Sequence, residues 1–197
     1  MSQNSSPGIN FQNFDSLEPR FFFLGLVLVL FPAFVYFYSI HIFTTNTPFS
    51  DDYVSHLQAL LPIIQSDNLW EKLALIFTID YEHRLGFNKL VFYLVYCVMG
   101  GIDLKLSIYI GSIGFLGFLF FIYKILPERK EKIFLLLPPA LMIFQLKQNW
   151  SHMIWSSSIQ FACALCFSGW AFYFLGKNTQ KYFYSAVFFA LFALFTQ

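Results

Sequence analysis

The chain has 197 residues, 57% of them hydrophobic and only 12% charged, with a formal net charge of +1. A soluble domain carries about 25% charged residues, so this composition excludes an ordinary water-covered globule. No basic run is long enough to neutralise a phosphate backbone, so no nucleic-acid partner is expected.

Residues 1–20 are rich in Ser, Asn, Gln, Pro and Gly and read as a polar cytosolic tail. They lack the basic start of a secretory signal, and the apolar run behind them is too long for one. The run 21–43 is therefore expected to be a retained first transmembrane helix, since a span needs about 20 apolar residues.

The long break that follows, 44–87, is the expected outer loop. It opens with Asp51-Asp52 and ends with Asp80-Tyr81-Glu82-His83-Arg84. Carboxylates beside a bilayer are costly unless something pairs or uses them. Asp51 and Asp52 can cap the helix that starts near Tyr53. They can equally serve as a general base for an acceptor hydroxyl, or hold a divalent cation between them. In the second cluster, Arg84 has the fork to bind a phosphate and Lys89 adds a point charge. His83 suits a proton carrier or metal ligand, and Glu82 supports both neighbours. The plainer alternative is headgroup anchoring by Arg84 and Lys89. Between the clusters, residues 52–66 read as an amphipathic helix with Val54, Leu57, Leu60, Leu61 and Ile64 on one face. Residues 70–78 read as a second, with Leu73, Ile76 and Phe77. Both are expected along the membrane surface.

Five further apolar stretches follow at 88–102, 106–126, 133–146, 159–175 and 182–195. Pro138-Pro139 implies a kink or break in the third of them. Basic residues at 124–132, and Lys177 with Lys181, place their loops in the cytosol. If every stretch crossed, 127–132 would fall outside. The conflict disappears if 88–102 enters or lies on the membrane without crossing, and full crossing against the charge bias is the alternative. Asp103 and Lys105 are expected to pair at the interface. Cys163-x-x-Cys166 has redox spacing but no accompanying ligand, and reads as small residues in helix packing.

The third polar cluster runs from Gln145 to Gln160. Trp150 and Trp155 fit an aromatic belt, whereas Gln160 opens an apolar helix and needs a partner. Glycine-rich phosphate loops and hydrolase motifs are absent. The chain stops at Gln197 while still apolar, which fits the first part of a longer protein.

Taken in order, the three clusters resemble the GT-C superfamily of membrane glycosyltransferases, whose bacterial members use polyprenyl-phosphate sugar donors. Similar proteins carry an early acidic motif in the first outer loop, like Asp51 or Asp52, and a triplet like Glu82-His83-Arg84. They also carry a later pattern that Trp150, Trp155, Gln160 and Phe161 match in spacing. Ser151, His152 and Ser158 depart from that pattern. The resemblance implies an all-α, polytopic transmembrane helical bundle in a bacterial plasma membrane, spanning 21–197, with short amphipathic surface helices in the outer loop. It implies Asp51 or Asp52 as catalytic base or metal ligand, Arg84 and Lys89 on the donor phosphate, and Glu82, His83, Trp155 and Gln160 in support. The partners would be membrane lipid and a polyprenyl-phosphate sugar. The competing expectation is a non-catalytic polytopic protein: a transporter fragment, assembly subunit or lipid-binding scaffold.

Overall fold

The computed structural model describes residues 19–49, 52–78, 85–128 and 130–196. Asp51, Glu82, His83 and Arg84 lie outside the described residues, as does most of the polar tail. The described chain is all helical, and two of its helices are long and apolar enough to cross a membrane.

The first of these, α1 (Pro19–Phe43), begins with a proline, where a missing N–H costs nothing. The second is α5 (Leu104–Ile125), whose N-cap Asp103 accepts from Leu106 N at 2.8 Å. The two are antiparallel. Lys105 Nζ at the start of α5 donates to His41 O near the end of α1, at 2.7 Å. Asp103 and Lys105 thus each bond to backbone rather than to one another, because a helix start offers free amides and a helix end offers free carbonyls. At the opposite end, Ile133 packs on Gly25. That end carries Arg20, Lys124 and Lys132 and is called the basic end; the other is the loop end.

From the basic end a 3-10 segment (Lys130–Leu136) runs into α6 (Leu137–Ile143). Pro138 and Pro139 explain the join. Neither can donate to the carbonyl four residues back, so an α-helix cannot run through them, but both are tolerated in a first turn. A 3-10 helix brings residues three apart onto one line, and Ile133 and Leu136 are accordingly both buried. The strand of contacts continues to the loop end: Phe144 meets Tyr36 with ring centroids at 5.6 Å, and Thr44 Oγ1 donates to Met153 O. At the basic end Lys132 Nζ donates to Glu128 Oε1 at 2.7 Å, which holds the Glu128 carboxyl below its ordinary value.

After α7 (Trp150–Ile154) and a 3-10 turn (Ser156–Ser158), α8 (Ile159–Leu175) runs parallel to α5. Glycines allow this contact. A Cβ on Gly111 would lie 2.6 Å from Ile159, and one on Gly114 would lie 2.8 Å from the Ala162 backbone. Such close approach is how apolar helices gain packing where no hydrophobic drive separates them from their surroundings. Cys163 and Cys166 lie on this seam, where Cys166 Sγ faces Gly117, in the packing role expected of them. Finally α9 (Gln180–Leu194) returns antiparallel to α8 through Phe174–Tyr182 and Phe167–Phe192 ring contacts.

The remaining elements gather at the loop end. They are a π-helical turn (Asp52–Gln58) leading into α2 (Ala59–Gln65), then α3 (Leu69–Phe77) and α4 (Gly86–Met99). Both ends of α4 are held there. Phe87 N donates to Phe195 O, just past α9, at 2.8 Å. Gly100 takes a left-handed φ of 68° and turns the chain back. Asn46 Nδ2 then donates to Ile102 O at 3.4 Å.

Candidate functional site

Asp52 is the first residue of the π-helical turn and is 1% exposed. Its Oδ1 accepts from Ser156 Oγ at 2.6 Å, and from Ser157 N and Ser157 Oγ at 3.2 Å. Its Oδ2 accepts from Phe49 N at 3.0 Å. The carboxylate therefore closes its own turn and also bolts that turn to the entry of α8. A buried carboxylate is stable only with such a shell of donors. The first and third polar clusters thus meet in space, across more than a hundred residues of sequence.

Much of the face that its spacing predicts for the loop helix does pack, since Leu57 and Ile64 lie against the cluster that holds Leu60, but the π turn moves one pair. Wider turns shift the register, and Pro62 interrupts the bonding of α2. Ile63 is fully buried and Leu60 nearly so, while Leu61 is 55% exposed. The α3 prediction fares better: Ile76 is buried and Leu73 half-buried, with Phe77 edge-on to Phe195 at 5.0 Å between ring centroids.

Lys89 sits in the first turn of α4 and is buried. Its Nζ donates to Leu75 O at 3.2 Å and Thr78 O at 2.9 Å. A cation on the last carbonyls of a helix is favoured by both hydrogen bonding and the helix dipole. Lys89 thereby ties α3 to α4, while its charge stays at the loop end. Beside it, Asn88 is fully buried, and neither atom of its amide has a hydrogen-bond partner among the described residues. Leaving such a group unmatched would cost about 1–3 kcal/mol. Sequence reading passed over it, although an Asn beside a Lys at the start of an apolar run is a visible signal.

Trp155 ends α7, and its indole N–H is buried with no partner among the described residues. Gln160 is half-buried in the first turn of α8. Between them lie Ser156 and Ser157, the partners of Asp52, which the sequence places in the cluster without assigning them a mate. His152, in α7, packs edge-on against Phe115 and Phe161 at 5.9 and 5.4 Å, and burial pushes its pKa below the ordinary 6.5.

The structure thus brings Asp52 to the Trp155–Gln160 segment, and α4, which carries Asn88 and Lys89, touches both the Asp52 turn and α8. Chemically, this is a buried carboxylate, a buried ammonium and an amide with no partner among the described residues, all at one end of an apolar bundle. Among the described residues no group of three His, Cys, Asp or Glu side chains could hold a metal ion. No protein-family model, curated protein or solved structure matches the chain.

Proposed function

We propose that the chain is the membrane-embedded part of a glycosyltransferase, which moves a sugar from a polyprenyl-phosphate donor to an acceptor at the outer face. The membrane reading is supported by exposure. Only 28% of the apolar window of α1 and 39% of that of α5 is buried, whereas the core helix of a soluble protein hides most of its surface. Phe23, Phe31 and Phe34 are each more than 60% exposed, a patch that water does not tolerate. In this reading α1, α5, the 3-10 segment with α6, α8 and α9 cross, and α4 does not. Arg20, Lys124, Lys132, Lys177 and Lys181 then share the cytosolic side, as the charge bias requires.

The transfer reading rests on one observation: the first motif, through Asp52, is hydrogen-bonded to the third, through Ser156 and Ser157. Asp51 or Asp52 takes the proton from the acceptor hydroxyl. The acceptor oxygen attacks the anomeric carbon, and the bond from that carbon to the phosphate oxygen breaks. The departing polyprenyl phosphate carries the charge, which Arg84 and Lys89 offset. Asp52 has donors on both oxygens, so in this scheme Asp52 is the holder and Asp51 the base. A divalent cation on Asp51 and Asp52 is the variant of the same scheme.

The saturation of Asp52 also favours a second reading. A carboxylate consumed by structural hydrogen bonds is what a non-catalytic scaffold would contain. The two are separated by measuring sugar transfer in membranes from polyprenyl-phosphate donors. Asp51→Asn is expected to abolish transfer with the membrane level of the protein unchanged. Full transfer by a normally inserted Asp51→Asn, Asp52→Asn double variant would remove this mechanism, whereas no transfer by the native chain would remove the enzyme reading and leave the scaffold.

A further inference from the structure

Between α8 and α9 runs an apolar groove of about 370 Å³, lined by residues including Ala171, Phe172, Val187 and Ala190. From Phe183 to Ala193 it extends roughly 15 Å at 1.5 Å per residue, close to one leaflet of a bilayer core of about 30 Å. Through Leu175 and Phe183, which line both, it continues into a second hollow of about 210 Å³ whose other walls are Asn178, Thr179 and Gln180. A long apolar trough with a polar mouth is the shape of an amphiphile. The mouth lies at the basic end, flanked in sequence by Lys177 and Lys181, both exposed. Lys177 Nζ stands 4.8 Å from the Tyr173 ring centroid. No Asp or Glu occurs after Glu131 in the sequence, so no acidic side chain on α8, α9 or their connection offsets these two charges. A second apolar groove, of about 340 Å³ between α1 and α5, differs on this point. Lys132, beside it, is already paired with Glu128.

We propose that the α8–α9 groove holds one acyl chain of an anionic phospholipid of the cytosolic leaflet, with the phosphate at the Asn178–Gln180 mouth between Lys177 and Lys181. The inference rests on the membrane reading and is independent of sugar transfer. The test uses the whole chain in mild detergent, offered equal amounts of phosphatidylglycerol and phosphatidylcholine, with bound lipid counted by native mass spectrometry. Phosphatidylglycerol should be retained in preference. Lys177→Gln and Lys181→Gln should each reduce that preference about fivefold, the worth of one lysine near an anionic headgroup. Ala190→Phe, which fills the exposed trough without entering the core, should release both lipids. Equal retention of phosphatidylcholine, or a phosphatidylglycerol count that neither lysine variant nor Ala190→Phe changes, overturns the proposal. So does a dimeric mass that Ala190→Phe disperses, because the occupant is then a second copy. Release of the chain from membranes by alkaline carbonate would instead remove the membrane premise itself.

Discussion

Two short apolar segments of this chain have the same number of residues and different courses. The 3-10 segment and α6 hold seven residues each, and α4 holds 14. The former runs from the basic end to the loop end, whereas α4 begins and finishes at the loop end. Rise is one reason. A 3-10 turn climbs about 2.0 Å per residue against 1.5 Å, so the first segment reaches about 25 Å and α4 about 21 Å. Anchoring is the other. Lys89 and Asn88 give α4 a polar first turn held among the loop helices, and Asn46 fixes the turn beyond its far end. Counting apolar residues treats the two segments alike; their backbones and end groups do not.

The comparison breaks most sharply on sidedness, which is all or none. In a background without Cys97, Cys163 and Cys166, single cysteines at Thr45 and Gly101 should react with an impermeant thiol reagent from the same side of a sealed vesicle. One at Lys177 should react from the opposite side. Labelling of Thr45→Cys and Gly101→Cys from different sides would make α4 a crossing helix and undo the contrast.

A smaller effect tests the anchor. Lys89→Met keeps the length and apolar stem of the side chain but removes the donor to Leu75 O and Thr78 O. Hydrogen exchange in α3 should speed up by an amount equivalent to about 2 kcal/mol, the cost of stranding such acceptors. Exchange in α5 and α8 should stay as it was. Unchanged protection in α3 would mean that packing of Ile76 and Phe77, not Lys89, holds it to α4.

What the sequence discloses follows from the same contrast. Apolar runs 106–126, 159–175 and 182–195 lie within two residues of α5, α8 and α9 at each end, because hydropathy and the glycine and lysine punctuation act locally. The inward face of 52–66 was legible at Leu57, Leu60 and Ile64, but nothing in the spacing announces a π turn, and Leu61 and Ile63 exchange places. The mate of Asp52 was not legible either. Ser156 and Ser157 are unremarkable serines until α1, α5 and α8 bring the two loops together. Asn88 was legible as a residue and overlooked as a signal, because the apolar count around it was the stronger pattern.

The smallest expected effect concerns the loop end of the 3-10 and α6 segment, where Phe144 and His152 both pack on Phe115. Burial lowers the His152 pKa below 6.5. In the unfolded chain the imidazole takes up a proton near its ordinary value, but in the folded chain it resists. Between the folded pKa and about 6.5 the unfolded state therefore binds more protons, and stability falls as pH falls through that window. Above it both states are neutral and the contribution is flat. Thermal melts in detergent at pH 8 and pH 5.5 should show a drop in Tm for the native chain that is smaller in His152→Phe, which keeps the aromatic contacts and removes the proton. An equal drop in both would mean that His152 is not the group that makes the fold sensitive to acid.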